Sequence, residues 1–224
     1  MIYLKQLGAH AELLTQGIHE MGLLVQVEQV ERLAQYAGLL HKWGSVYNLT
    51  ANKEVSQIVT LHLLDSLVVV GPLLREAPAL KTLLDVGSGA GLPGVVLSIM
   101  CPDVQVHCID AVAKKAAFIK QVAIALSLSN LHAHHGRVED FEGVFDVITS
   151  RAFSSLMDFV SLTAKNLSPT GLWMAMKGRV SPAEIEVLPA RVDVFHVEPL
   201  RVPAVDAIRN IVWLKHGADK VTPF

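Results

Sequence analysis

The sequence predicts a doubly wound α/β protein, with a mostly parallel seven-stranded sheet, helices on both faces and a helical extension in front of it. Three observations carry this. From residue 82 onward, short β-rich runs alternate with helical stretches through a fifth strand, the order that right-handed crossovers onto a parallel sheet produce. The first strand runs straight into a glycine-rich turn, T-L-L-D-V-G-S-G-A-G-L-P-G over residues 82–94. Ahead of it, two apolar stripes recur at three- and four-residue steps, which is helix periodicity.

Taken in order, a short helix of weak periodicity covers residues 9–20. Val27, Val30, Leu33, Ala34, Ala37 and Leu40 then form one face of an amphipathic helix that ends near Trp43 and Gly44. A turn-like segment, S-V-Y-N-L-T-A-N-K-E, precedes a second helix with its stripe at Ile58, Val59, Leu63, Leu67 and Val70. His62 and Ser66 fall inside that stripe, and Gly71-Pro72 is expected to close it. Leu83, Leu84 and Val86 make a buried strand. Gly87, Gly89 and Gly91 let the backbone turn at positive φ and approach a ligand within van der Waals contact, and Pro93 suits a first helical turn. Residues 92–100 read as a short helix. Val104, Val106 and Cys108 alternate with Gln105 and His107 in a second strand that ends at Asp110. A helix over 111–128 carries Lys114, Lys115 and Lys120 on its wetter side. Strands follow at 131–135, 145–150 and 172–177, with a helix over 155–166. Two last β-like runs, 191–197 and 208–215, form an antiparallel edge. Residues 1–80 are thus a helical region packed on a sheet domain of residues 81–224.

With 224 residues, 51% hydrophobic and 18% charged, and a mean hydropathy of +0.41, the chain buries a real core and shows no long disordered stretch. The strongest apolar run, 67–74, is broken by Gly71 and Pro72 and is too short to span a membrane. The start, M-I-Y-L-K-Q-L-G, lacks the basic region and apolar core of an export signal, so a cytoplasmic monomer is expected. Cys101 and Cys108 have no partnering motif and read as small buried hydrophobes. A formal charge of −2 excludes coating nucleic acid by bulk electrostatics but not a basic rim around one pocket. His132, His134 and His135 look metal-like, yet neighbours on a strand point to opposite faces, and no metal is expected.

Residues 89–94 satisfy the dinucleotide fingerprint G-x-G-x-x-G, with Asp110 following at the end of the second strand. An acid at Asp85 ahead of the loop, a glycine series starting already at Gly87 and the helical extension point instead to S-adenosylmethionine. That cofactor has no phosphate and carries an ammonium, so an acid beside the loop is useful. Gly87 and Gly89 serve either cofactor, and Asp110 would accept from ribose hydroxyls in either fold.

Several separate motifs, in order, resemble those of the bacterial 16S ribosomal-RNA guanine-N7 methyltransferases (RsmG, also called GidB). They are H-K-W-x-x-x-Y-N-L-T at 41–50, H-L-L-D-S-L at 62–67, L-D-V-G-S-G-A-G-L-P-G at 84–94, G-R-V-E-D at 136–140, S-R-A-F at 150–153 and M-K-G at 176–178. The resemblance covers about residues 40–215. It implies a class I S-adenosylmethionine-dependent methyltransferase fold, Rossmann-like, acting on N7 of a guanine in the 530-loop region of 16S ribosomal RNA or the small ribosomal subunit. Carried over, it places Gly87 and Leu92 in the cofactor loop, Val138 and Glu139 beside the adenine, and Arg151 facing cofactor and target base. Asn48, His62, Arg137 and Lys177 match positions of substrate handling.

Guanine N7 has an in-plane lone pair and no proton to lose, so methyl transfer to it needs alignment rather than a general base. The segment T-S-R-A-F after the fourth strand agrees: it is neither the Asp/Asn-Pro-Pro-aromatic motif that holds an exocyclic amine nor a Pro-Cys nucleophile. The guanidinium fork of Arg151 suits the acceptor edge of guanine, and an unstacked base in single-stranded or loop RNA is expected. The rival readings are a nicotinamide-dependent oxidoreductase and a non-catalytic RNA-binding assembly module on the same fold.

Overall fold

The structure, a computed structural model, describes residues 2–47, 54–151, 153 and 155–217. Helices α1 (Ile2–Gln6), α2 (His10–Glu20) and α3 (Val27–Tyr47) lead the chain. α3 continues past Trp43-Gly44, the expected end. A glycine inside a helix costs only about 1 kcal/mol against alanine, and Trp43 packs on Phe118 with ring centroids 5.5 Å apart.

Next come α4 (Val55–Gln57), a π-helical segment Ile58–Leu64, α5 (Asp65–Leu67) and α6 (Val70–Glu76). Gly71-Pro72 does not close this stretch. Pro72 is the third residue of α6, where the N–H it lacks would have no partner in the helix anyway. The expectation of a broken apolar run therefore fails: Val55–Glu76 is 22 residues long, and by length and composition alone it would cross a membrane. Its apolar window is 67% buried inside the protein, and Ile58, Val59, Leu63, Leu64 and Leu67 are fully enclosed.

The sheet holds β1 (Thr82–Val86), β2 (Gln105–Asp110), β3 (Leu131–His135), β4 (Phe145–Arg151), β5 (Leu167–Lys177), β6 (Val192–Leu200) and β7 (Arg209–His216), in the order β3-β2-β1-β4-β5-β7-β6. Strands β1 to β5 pair in parallel; β7 and β6 close the edge antiparallel, as the sequence predicts. Helices α7 (Gly94–Met100), α8 (Ala113–Ala125) and α9 (Leu156–Thr163) make the crossovers, and a short α10 (Pro182–Glu186) follows β5. β5 starts before the expected residue 172, because its register slips between the Phe145–Leu167 and Val147–Leu172 pairs; such an irregularity accommodates the strand's Pro169 and Gly171. The connections wind one way from β1 to β3 and the other way to β4 and β5, so a crevice opens at the carboxyl ends between β1 and β4.

Two buried clusters cover the two faces. One joins Leu83, Cys108, Phe118 and Trp213 to Leu14, Leu33, Tyr36, Leu63 and Leu67, running without a break across residue 80. The other gathers Leu84, Val86, Ile148, Phe159 and Trp173. Both cysteines are free and buried.

Within the sheet, His107, His132 and His134 bond to neighbouring strand residues. His107 Nδ1 lies 3.0 Å from His134 Nε2, and His132 Nε2 lies 2.9 Å from Gln105 Oε1. Among the described residues no group of three or more His, Cys, Asp or Glu is placed to hold a metal. Burial, then the charge of His132 and His134, pushes His107 down to about 4, and burial lowers His134 as well. An unfolded histidine protonates near 6.5, so between about pH 6.5 and 4 the unfolded chain binds more protons. Stability is therefore expected to fall as pH drops through that window. The urea midpoint measured from pH 7 to pH 5 should decline, and less steeply in His107→Phe, which keeps the ring beside Phe145 but cannot titrate.

Candidate active site

The loop after β1 is built as its glycines predict, with φ of +65°, +60° and +91° at Gly87, Gly89 and Gly91. Its amides are pinned individually. Gly87 and Ser88 donate to Ile109 O at 2.9 and 3.2 Å, Gly91 and Leu92 to Ser88 O at 2.8 and 3.0 Å. Gly89 donates to Asp110 Oδ2 and Gly94 to Asp85 Oδ2, both at 2.9 Å. Asp85 is fully buried, its Oδ1 has no partner among the described residues, and burial pushes its carboxyl up to about 7 against the pull of the Gly94 N–H and Arg151. Strand alternation turns it to the face opposite Leu84 and Val86. So Asp85 holds the start of α7 through the amide of Gly94.

Above the loop lies a cavity of about 220 Å³, lined among others by Val86, Gly87, Asp110, Arg137, Val138 and Glu139. A Cβ on Gly87 would meet nothing within 4 Å, so the chain leaves room there for a bound molecule to reach its backbone. Asp110 Oδ1 accepts from Val112 N at 2.8 Å, and Lys115 Nζ stands 3.8 Å from Oδ2. Each oxygen has a second lone pair, which leaves Asp110 able to accept from ribose hydroxyls. Of the residues expected at the cofactor, Gly87, Asp110, Val138 and Glu139 meet here. Gly89 donates to Asp110, the Leu92 side chain is buried in the core, and Arg151 lines a neighbouring cavity. Arg137, expected among the residues of substrate handling, stands at this cavity, paired with Glu139 at 3.0 Å.

A second cavity, about 580 Å³, opens at the carboxyl ends of β4 and β5 and is lined by Leu61, His62, Asp65, Arg151, Lys177 and Arg209 among others. Phe153 lines both cavities, so they adjoin. Asp65 is buried between two arginines: Arg209 Nε donates to its Oδ1 at 2.6 Å and Arg151 Nη1 to its Oδ2 at 3.1 Å. Arg151 Nη1 also donates to the carbonyl of Leu61 in the π-helical segment, at 3.1 Å. Among the described residues the rest of that guanidinium is unengaged and open to the cavity.

His62 Nδ1 lies 3.0 Å from Leu61 O. A carbonyl only accepts, so Nδ1 donates and Nε2 is left as an acceptor, buried and without a partner among the described residues. Burial, then Arg151, pushes His62 down to about 4, so it is neutral at pH 7. Lys177 Nζ is paired with Glu184 at 2.6 Å and forms part of the wall. Asn48 lies outside the described residues. The residues that sequence reasoning missed are Asp65, Arg209 and Phe153. Asp65 and Phe153 stand inside motifs already singled out, but Arg209 reaches Asp65 from 144 positions away and has no local signal.

Residues 29–212 match the GidB family model, described as rRNA small subunit methyltransferase G. The ribosomal RNA small subunit methyltransferase G of Methylibium petroleiphilum is 53% identical over 208 residues, 92% of this chain and 94% of that protein. Among solved structures, TrmN from Thermus thermophilus superposes with a TM-score of 0.55 at 19% identity, over 71% of this chain and 53% of that one. A SAM dependent methyltransferase from Aquifex aeolicus gives 0.50 at 19% identity, over 66% and 90%. These likenesses establish the class I methyltransferase fold. The match runs from α3 through β7 and so takes in both cavities; on that extent, and on identity at half of all positions, the chain belongs to the GidB family of rRNA small subunit methyltransferases G.

Proposed function

We propose that the protein moves a methyl group from S-adenosylmethionine to N7 of a guanine in the 530-loop region of 16S ribosomal RNA, by direct in-line transfer. The observation that carries this reading is the junction at Phe153 of a glycine-floored cavity edged by Asp110 with a larger cavity edged by arginines. The cofactor, when bound, supplies an electrophilic methyl on a cationic sulfur; the C–S bond breaks as the C–N7 bond forms, and the positive charge ends on the purine. No proton leaves, and the chain's task is alignment.

Gly87 lets the backbone approach the donor, Asp110 accepts from ribose hydroxyls, and Val138 and Glu139 flank the adenine. On the acceptor side, Arg151 keeps donors free for guanine O6 or a neighbouring phosphate. Asp65 supplies the counter-charge that holds two guanidinium groups beside a base about to become cationic. His62, neutral at pH 7, adds no charge to the wall against which the base would lie. Lys177 and Glu184 shape the wall, and Arg179, which makes no ion pair among the described residues, stands at the rim where a phosphate would pass.

The test is transfer of labelled methyl by the purified protein to 16S RNA or small subunits from cells lacking the enzyme, followed by mass mapping of nucleotides. One added methyl on a single guanine, at N7, is expected. Methylation on an exocyclic amine would overturn the mechanism, and RNA binding without any transfer would favour the non-catalytic module.

A further inference from the structure

The glycine loop has little conformational preference of its own, so its shape must be imposed by bonds from outside it. Two of these come from the sheet, Asp85 on β1 and Asp110 on β2. Another comes from the N-terminal helices. Tyr36, fully buried on α3, donates its hydroxyl to Ala90 O at 2.7 Å and lies 3.3 Å from Gly91 O. Burial raises its phenol well above the ordinary value, which keeps the proton in place for donation. Ala90 is itself buried, so no water stands ready to replace that hydroxyl. The same helix is anchored at its flanks: Gln29 Nε2 donates to Ile99 O and Met100 O at the end of α7, at 3.0 and 3.2 Å, and Gln35 Nε2 to Ala125 O at the end of α8, at 3.2 Å. α3 thus spans the two helices that follow β1 and β2 and lowers one hydroxyl onto the loop between them.

We propose that Tyr36 is a positioning residue for the cofactor loop, so that the N-terminal helices set the affinity for S-adenosylmethionine. This rests on the reading that the loop holds that cofactor. Removing the hydroxyl leaves the Ala90 carbonyl buried and unpaired, and the loop escapes by relaxing away from the shape that receives the ligand. Calorimetric binding of S-adenosylhomocysteine is the readout. Tyr36→Phe is expected to weaken it about fivefold to twentyfold, and to raise KM for S-adenosylmethionine by a like factor, with kcat and KM for RNA within twofold. Amide hydrogen exchange should quicken at residues 89–92 and stay unchanged in α7. Gln29→Ala removes an anchor of the same helix away from the loop; it is expected to lower the melting temperature and leave the affinity within twofold. Binding by Tyr36→Phe within twofold of the natural protein, or equal weakening in Gln29→Ala, would overturn the proposal. If the natural protein itself binds no S-adenosylhomocysteine, it is the cofactor reading that fails.

Discussion

Replacing Arg151 by alanine is expected to lower kcat/KM for RNA methylation by roughly 10²–10³-fold, the loss typical of deleting one preorganised charged donor from an active site. The reason is placement. Arg151 ends β4, its Nη1 is fixed by Leu61 O and Asp65, and its remaining N–H groups, unengaged among the described residues, would on the proposed function meet the target nucleotide. Arg151→Lys should restore little, because an ammonium cannot hold two fixed partners and present a planar fork together. Since Arg151 lines only the larger cavity, S-adenosylhomocysteine binding should stay within about threefold while turnover collapses. Asp65 keeps Arg209, so the fold should survive with a loss of about 1–3 kcal/mol. Calorimetry beside steady-state kinetics checks this; retention of a third or more of the activity would rule out the assigned role.

The second large effect divides the glycines of the loop into two kinds. A Cβ at Gly94 would press on Cys108 Sγ and stand 2.8 Å from Asp85 Oδ2, against strands that cannot retreat. Gly94→Ala is expected to destabilise by about 1–3 kcal/mol or more and to abolish cofactor binding with it, since Asp85 loses its grip on the first amide of α7. Gly87→Ala meets no atom and carries only the cost of a left-handed alanine, about 1–2 kcal/mol. Its methyl group enters the smaller cavity, so affinity for S-adenosylhomocysteine should fall at least tenfold in a protein that still folds. Thermal melts with and without ligand separate the two cases; ligand binding unimpaired in Gly87→Ala would show that this cavity is not the cofactor's.

What could be read in advance was whatever a few neighbouring residues decide. The turn after Val86 is signalled by three glycines that permit its positive φ, although distant bonds fix its shape, and the mostly parallel sheet with its antiparallel edge follows from the alternating periods. Asp110 was legible because the end of the second strand meets the loop in any such sheet. Misreadings arose where a local signal met a tertiary demand: Gly44 and Pro72 read as breaks, yet the packing of Trp43 and a first-turn position absorb them. That Asp85 bonds the amide of Gly94 could not be read, because composition does not say to which face of the sheet a buried acid turns.

The sequence by itself determined the sheet, the glycine loop and, through its motifs, the family, since each depends on contacts within a few residues or on a pattern repeated along the chain. Only the tertiary structure decided that Asp65 binds Arg151 and Arg209, across 86 and 144 positions, that Tyr36 reaches the loop across 54, and that Arg137 and Arg151 stand at different cavities. Such pairings are set by how whole helices settle on the sheet. A side chain's distant partner is fixed by that packing, not by its neighbours in sequence.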